Sequence, residues 1–215
     1  MCSNFQPIKK SHSVWVKQHF DCDLPNTEWR EETYPTYPAP FIYLDAGKPC
    51  CELAQFGLVP HWATDKKKFG LKTYKARSET VQEKPSYRSA WKERRFGLAL
   101  MESFYEPSWE TGKAVRWRIK RSDGQPIAVA SIWERIIDIE TGEVIFSFSM
   151  LTVNADGNDV MKHFHKPEDE KRSIVVLKDT EYQDWLQANH EQARTLLNLA
   201  SLGFLESEAA PRGKT

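Results

Sequence analysis

A cysteine follows the initiator methionine in this chain of 215 residues, and no other residue type at its position carries as much chemistry. Methionine removal is usual when the next residue is small. The mature chain then begins at Cys2, with an α-amine and a thiol on one residue. Reference pKa values of about 7.7 to 8.0 for the amine and about 8.5 for the thiol leave both partly deprotonated near neutral pH. Such a 1,2-aminothiol condenses with an aldehyde to a Schiff base, and the thiol then closes a five-membered thiazolidine ring. The amine can instead act as base for the thiol in amide hydrolysis, as in N-terminal nucleophile enzymes. Position alone also allows Cys2 to be an accident of the second codon.

Four other segments carry residues suited to chemistry. Phe56-Gly-Leu-Val-Pro-His-Trp62 reads as a strand end turned by proline, with Trp62 either in the core or as an exposed wedge. In Lys75-Ala-Arg-Ser-Glu-Thr80, Arg77 has the planar fork that holds a phosphate through two parallel hydrogen bonds, or it pairs with Glu79 at the surface. Glu102-Ser-Phe-Tyr-Glu106 ends a strongly apolar strand, where partial burial raises a carboxyl pKa and suits it to proton transfer; the plainer reading is a solvated strand-end glutamate. His163-Phe-His165 lies at a helix end, with imidazoles matched to proton transfer near pH 7 or serving structure alone.

The elements that must position these residues are mostly strands. A first helix is expected over residues 13–20, followed by the extended Tyr34-Pro-Thr-Tyr-Pro-Ala-Pro40, since each residue before a proline leaves the helical region. Strands are expected at 41–44 and 51–58, with a turn at Gly47-Lys48-Pro49. Residues 59–80, containing Lys66-Lys67-Lys68, read as a long irregular functional loop. After a helix at 87–95, strands follow at 97–105, 115–121, 127–136 and 144–152, separated by hairpin turns at Gly112, Asp123-Gly124 and Thr141-Gly142. A short helix at 158–164, a strand at 174–177, a helix capped by Thr180 and Gln183, and a helix at 191–199 complete the pattern. The fold class is therefore α+β, one domain over residues 1–200 whose core is a curved, mostly antiparallel sheet or barrel with peripheral helices. Residues 201–215 are expected to form a flexible tail, frayed from Glu206 onward.

Composition narrows the classes further. Hydrophobic residues make up 40% and charged residues 28%, ordinary values for a globular protein. No apolar run approaches the roughly 18 residues of a membrane helix, and residues 1–10 lack a signal-peptide core, so a cytoplasmic protein is expected. Four cysteines without a CxxC pair or zinc-type histidine spacing indicate neither a disulfide framework nor a metal site, and no cofactor is implied. The 30 basic and 30 acidic residues cancel, which leaves any nucleic-acid contact to a local patch. Eight tryptophans and seven tyrosines include residues able to stack on bases.

The order of Met1-Cys2, Gly57-Leu-Val-Pro-His-Trp62, Ala76-Arg-Ser-Glu-Thr-Val81, Phe104-Tyr-Glu106 and His165 before Lys171-Arg-Ser-Ile-Val-Val-Leu177 resembles the SRAP family, the SOS response-associated peptidases or abasic-site processing proteins. The likeness runs from Cys2 to about Leu186. It implies that Cys2, freed of Met1, forms a thiazolidine crosslink with the ring-opened sugar of an abasic site in single-stranded DNA. Glu106 and His165 would move protons, Arg77 would hold phosphate, and Trp62 would pack against bases where the strand bends. Lys72 and the lysines at 66–68 would add phosphate contacts or form a solvated charge run. A monomer is expected, associating with the nucleoid on damage in a bacterium.

The chain departs from the family pattern at several points. Lys75 stands where the family has an active-site asparagine, and it would depress the Cys2 amine and thiol pKa values, form an imine itself, or block the pocket. Asn4 stands where a phosphate-binding arginine is common, and the strand 96–101 lacks the arginine, cysteine and proline often found there. His163 competes with His165 for the acid/base role. Alternative activities are autoproteolysis at the N-terminus, thiol peptidase action on other proteins, and single-strand binding without catalysis should Lys75 disable the site.

Overall fold

The structure, a computed structural model, describes residues 2–166 and 168–212; Met1, whose removal is expected from the sequence, lies outside them. Strand β1 (Phe5–Pro7) leads to helix α1 (Ser13–Phe20), which buries Trp15, Val16 and Phe20 and ends at Asp21 in the left-handed region, φ 51°. The proline-rich stretch enters β2 (Pro38–Asp45), which turns through Ala46 and Gly47 into β3 (Lys48–Phe56). Pro38 and Pro40 pair on one side only, since β2 meets its second neighbour at 41–43. Lacking an N–H, a proline is tolerated where no second ladder runs.

The region expected to be irregular contains two short elements, α2 (Lys66–Gly70) and β4 (Lys75–Arg77). Asp65 caps α2 by accepting the Lys68 N–H at 2.9 Å. Helix α3 (Arg88–Lys92) precedes four long strands, β5 (Phe96–Ser108), β6 (Val115–Arg121), β7 (Ile127–Ile137) and β8 (Val144–Asn154). The chain finishes with β9 (Arg172–Ile174), α4 (Tyr182–Gln187), α5 (His190–Leu196) and β10 (Leu205–Ala209). The helix expected at 158–164 is a single 3₁₀ turn at Met161–His163, and α5 is capped by Asn189, whose side chain accepts the Gln192 N–H at 2.9 Å.

β10 corrects the expectation of a frayed tail. Its Leu205 is buried, its backbone pairs antiparallel with β6, and Glu206 and Glu208 meet Lys120 and Arg118 across that ladder. No helix among the described residues is long and apolar enough to cross a membrane.

Five strands close a barrel in the order β5-β2-β3-β8-β7 and back to β5. All joins are antiparallel except β3 with β8, a short parallel pairing of Gln55 with Ser147 and Phe56 with Phe148. Side chains alternate across each strand, so Phe41, Tyr43, Phe56, Met101, Val129, Phe148 and Met150 share one buried cluster inside the barrel. Their neighbours Ile42, Leu98, Leu100, Ala130 and Leu151 face outward into a second cluster beneath α1, α3 and α4. Gly97 is required where these layers meet: a Cβ there would lie 2.4 Å from the Phe41 ring, and its carbonyl accepts the Trp185 indole N–H at 2.9 Å.

Candidate active site and nucleic-acid interface

β1 delivers Cys2 to the end of the barrel. It runs antiparallel to β5 with Phe5 opposite Phe104, and the Tyr105 N–H donates to the Asn4 carbonyl at 3.0 Å. That carbonyl also accepts the Cys2 thiol at 3.6 Å. Cys2 is 2% exposed and belongs to the interior cluster. The alternation that sends Phe104 inward sends Glu106 inward two residues later, and Glu106 is also 2% exposed.

His165 completes this floor. Its backbone is left-handed, φ 67°, an uncommon conformation for a residue with a side chain. The His165 N–H donates to the Pro107 carbonyl at 3.0 Å, tying the residue to β5 just beyond Glu106. The imidazole Nε2 then lies 3.2 Å from Glu106 Oε2, with both side chains almost fully buried. His165 Nδ1 is buried and finds no hydrogen-bond partner among the described residues. His163, by contrast, is half exposed and faces Glu110 at 3.3 Å, so only His165 meets Glu106.

Burial pushes the Cys2 thiol up, and the nearby Glu106 carboxylate pushes it further. The amino-terminal charge, a hydrogen bond with the Asn4 backbone and the Lys75 charge pull the other way but are outweighed, leaving the thiol at about 12. Lys75 acts on the thiol in the expected direction, downward. Desolvation of the thiolate is the larger effect.

Lys75 lies beside this floor. β4 adds in parallel to the end of β8, pairing Lys75 with Met150 and Arg77 with Thr152. Ala76 packs outward into the helix-covered cluster, so Lys75 and Arg77 project to the opposite side, where Met150 and Cys2 lie. The Lys75 ammonium sits 4.8 Å from the centre of the Tyr74 ring.

The loop from β3 to β4 forms a rim above the floor. Gly57, at φ 119°, meets Gly70 so closely that a Cβ on Gly57 would lie 2.1 Å from the Gly70 carbonyl oxygen, and a Cβ on Gly70 would lie 2.8 Å from Gln55 Nε2. Thr73 Oγ1 donates to Leu58 O at 2.5 Å, Val59 N–H donates to Ser147 Oγ at 2.9 Å, and Lys66 pairs with Asp138 at 2.6 Å. This stapled loop holds Trp62 44% exposed, edge-on to Phe69 at 5.0 Å. Trp62 is therefore the wedge rather than a core residue. Lys72 is fully on the surface, as are Lys67 and Lys68, whereas Lys66 is engaged by Asp138.

Arg77 is also exposed, but its partner is Glu170 at 2.7 Å, while Glu79 takes the buried Arg172 at 2.8 Å. Glu170 bridges to Arg172 at 2.6 Å, so a chain of alternating charges links β4, β9 and the loop after His165.

Asn4, expected at the DNA surface, is buried. Its amide donates to Glu32 Oε2 and to the Thr33 carbonyl, both at 3.3 Å, and its carbonyl oxygen accepts from Arg116 at 2.8 Å. It buttresses β1 instead of reaching solvent. Arg116, unremarked in the sequence, carries the cation found there: it stacks on Tyr105, 3.4 Å from the ring centre, and pairs with Glu32 at 2.6 Å. The signal that could have found it is the Arg-Trp-Arg alternation of β6, which puts a basic side chain on every second position opposite the Phe104-Tyr-Glu106 end of β5. Among the described residues, no group of three or more His, Cys, Asp or Glu is placed to hold a metal ion.

The arrangement is thus a buried thiol, carboxylate and imidazole at one end of a small barrel, with a lysine at their side and an aromatic and basic rim above. The family model for SOS response associated peptidase matches residues 1–209. This chain is an SRAP protein. Curated SRAP relatives include the abasic site processing proteins YoqW and YobE of Bacillus subtilis (strain 168). They are 27% and 26% identical over 205 residues, covering 93% of this chain and 86% and 88% of theirs. A crystal structure of a Bordetella bronchiseptica protein superposes with a TM-score of 0.89 at 30% identity, covering 98% of this chain and all of that one. A Bacteroides thetaiotaomicron protein at 19% identity shares the fold, TM-score 0.82, over 97% of this SRAP chain and 91% of its own.

Proposed function

We propose that this SRAP protein captures abasic sites in single-stranded DNA, forming a thiazolidine crosslink through Cys2 once Met1 has been removed. The observation that carries this reading is the convergence of three buried side chains: the Glu106 carboxylate acts on the Cys2 thiol and meets His165 at 3.2 Å. The names of the relatives support the DNA substrate.

The residues divide the chemistry as follows. The Glu106 and His165 pair relays the proton that opens the cyclic sugar hemiacetal to its aldehyde. The α-amine of Cys2 adds to C1′, and a proton delivered to the resulting hydroxyl lets it depart as water, leaving an imine. The thiol then adds to the imine carbon. Because burial keeps the sulfur protonated, its proton passes to the imine nitrogen as the carbon–sulfur bond forms, and the ring closes with no net proton exchange. Trp62 packs against bases at the bend in the strand, and Arg77 and Lys72 hold phosphate. Removal of Met1 by autoproteolysis would use the Cys2 thiol alone, because the Cys2 nitrogen is the amide of the Met1–Cys2 bond until that bond is cut. Peptidase action on other proteins finds less support, since a thiol 2% exposed and held protonated is a poor nucleophile toward an incoming peptide.

The test is intact mass before and after incubation with a single-stranded oligonucleotide containing one abasic site. Loss of Met1 and a heat-stable adduct dependent on Cys2 are expected. A verified Cys2 terminus that forms no adduct, indistinguishable from Cys2→Ala, would sink the reading.

A further inference from the structure

Once Met1 is removed, two amines belong to residues on the same side of the sheet, Cys2 and Lys75, and they differ in one respect. The Cys2 amine has a thiol three bonds away along its own residue; the Lys75 amine has none. Lys75 projects from β4 toward the interior cluster to which Cys2 belongs, in register with Met150 of that cluster. Its Nζ lies against the face of Tyr74, and no carboxylate pairs with it among the described residues, although this SRAP chain forms many ion pairs elsewhere. The side chain is partly exposed, and its charge acts on the Cys2 thiol.

We propose that Lys75 gives this protein a second activity, a β-lyase that cuts the DNA strand at the abasic sugar. The inference rests on the abasic-site reading above and concerns the fate of the same aldehyde at a different amine. Nζ adds to C1′, water departs, and a protonated imine results. At Cys2 the neighbouring thiol adds to that carbon and removes the electron sink. At Lys75 no thiol is available, so the iminium persists and acidifies the C2′ hydrogen. The Glu106 and His165 pair accepts that proton, and the C–H electron pair becomes the C2′=C3′ double bond. The C3′–O bond breaks, and the phosphate leaves with its electron pair. Water then hydrolyses the conjugated imine, releasing an unsaturated aldehyde on the 5′ fragment and regenerating the lysine amine. Atoms and charges balance without an oxidant or reductant.

The experiment uses the full-length protein as wild type, Cys2→Ala and Cys2→Ala/Lys75→Arg, with a single-stranded oligonucleotide carrying one abasic site. Arginine keeps a cation over Tyr74 yet forms no imine. Cys2→Ala is expected to cleave the strand on the 3′ side of the abasic site and, with cyanoborohydride, to yield an adduct mapped to Lys75 by peptide mass spectrometry. Both signals should fall at least tenfold in the double variant. An adduct mapped only to the N-terminal α-amine of Cys2→Ala, trapping without cleavage, or cleavage undiminished by Lys75→Arg overturns the lyase. If wild type crosslinks through Cys2 while Cys2→Ala gives neither signal, Lys75 alone fails. If Cys2→Ala gives both but wild type never crosslinks through Cys2, the lyase stands and the thiazolidine reading fails.

Discussion

The floor of the site and its rim are built by opposite means. Cys2, Glu106 and His165 are almost fully buried, fixed by strand pairing between β1 and β5 and by the His165 bond to Pro107. Trp62, Lys72 and Arg77 stand in solvent on short elements, joined to the barrel by the Gly57 and Gly70 contact and a few ion pairs. Burial raises the proton affinity of the Cys2 thiol, whereas exposure leaves the rim side chains open to a long, charged ligand. Changes in the floor should therefore abolish or slow the Cys2 crosslink while leaving binding, and changes in the rim should weaken binding while leaving the crosslinking step.

The largest effects test the floor. Cys2→Ala should reduce the heat-stable adduct to background while single-strand affinity, read by fluorescence anisotropy, changes little. Glu106→Gln and His165→Gln should each slow adduct formation by about 10²–10⁴-fold, the usual range for a positioned acid or base. Loss of binding in parallel with loss of chemistry would show that floor and rim are not separable.

The thiol itself offers a pH test. Burial raises Cys2 from 9.0 to about 12, so only the protonated form is favoured inside the fold. The stabilisation this gives is complete below pH 9 and is lost as pH rises toward 12. Alkylation of Cys2 by iodoacetamide should climb about tenfold per pH unit from pH 7 to 10 without levelling off. The gap in denaturant midpoint between wild type and Cys2→Ala should shift against wild type only above pH 9. A plateau in alkylation near pH 8 would mean an ionised, solvated thiol.

The floor was also the more legible region. Cys2, Glu106 and His165 could be picked out by residue type and by their place at strand or helix ends, and the long alternating strands announced the barrel. What the sequence did not disclose was long-range. The choice of His165 over His163 depends on a left-handed backbone fixed by Pro107, 58 positions earlier in the chain. Asn4 looked like a surface residue because nothing near it announces Arg116 and Glu32, which enclose it. Barrel closure rests on two paired positions between β3 and β8, and β4 and β10 are short strands whose hydrogen bonds come from distant partners. Short elements have too little periodicity to be read locally.

On the rim, Trp62→Ala should weaken binding of intact single strands by about 1–3 kcal/mol, the typical worth of one stacked base, with the rate of adduct formation at saturating DNA unchanged. Its exposure leaves stability almost unaffected. A drop in the saturated rate would instead place Trp62 in the alignment of the sugar and blur the boundary between the two regions.

The smallest effect reports how the rim is tuned. Arg77 is held by Glu170 at 2.7 Å, and a DNA phosphate must displace that carboxylate to take the guanidinium. Arg77→Ala should lower the slope of log affinity against log salt by about 0.7, as expected for one phosphate contact on a single strand. Glu170→Gln should do the reverse in affinity, because it removes the competitor without removing the cation. Exposed pairs of this kind are worth roughly 0.2–1 kcal/mol, so the gain should be at most about fivefold. Part of it could come from a disturbed Arg172, which Glu170 also contacts, yet Arg172 keeps Glu79 and the Thr152 carbonyl at 2.8 Å each. The double variant Arg77→Ala/Glu170→Gln separates the two causes. If Glu170 acts through Arg77, the gain vanishes in that background; if it persists, the carboxylate repels DNA on its own and the rim is governed by general charge.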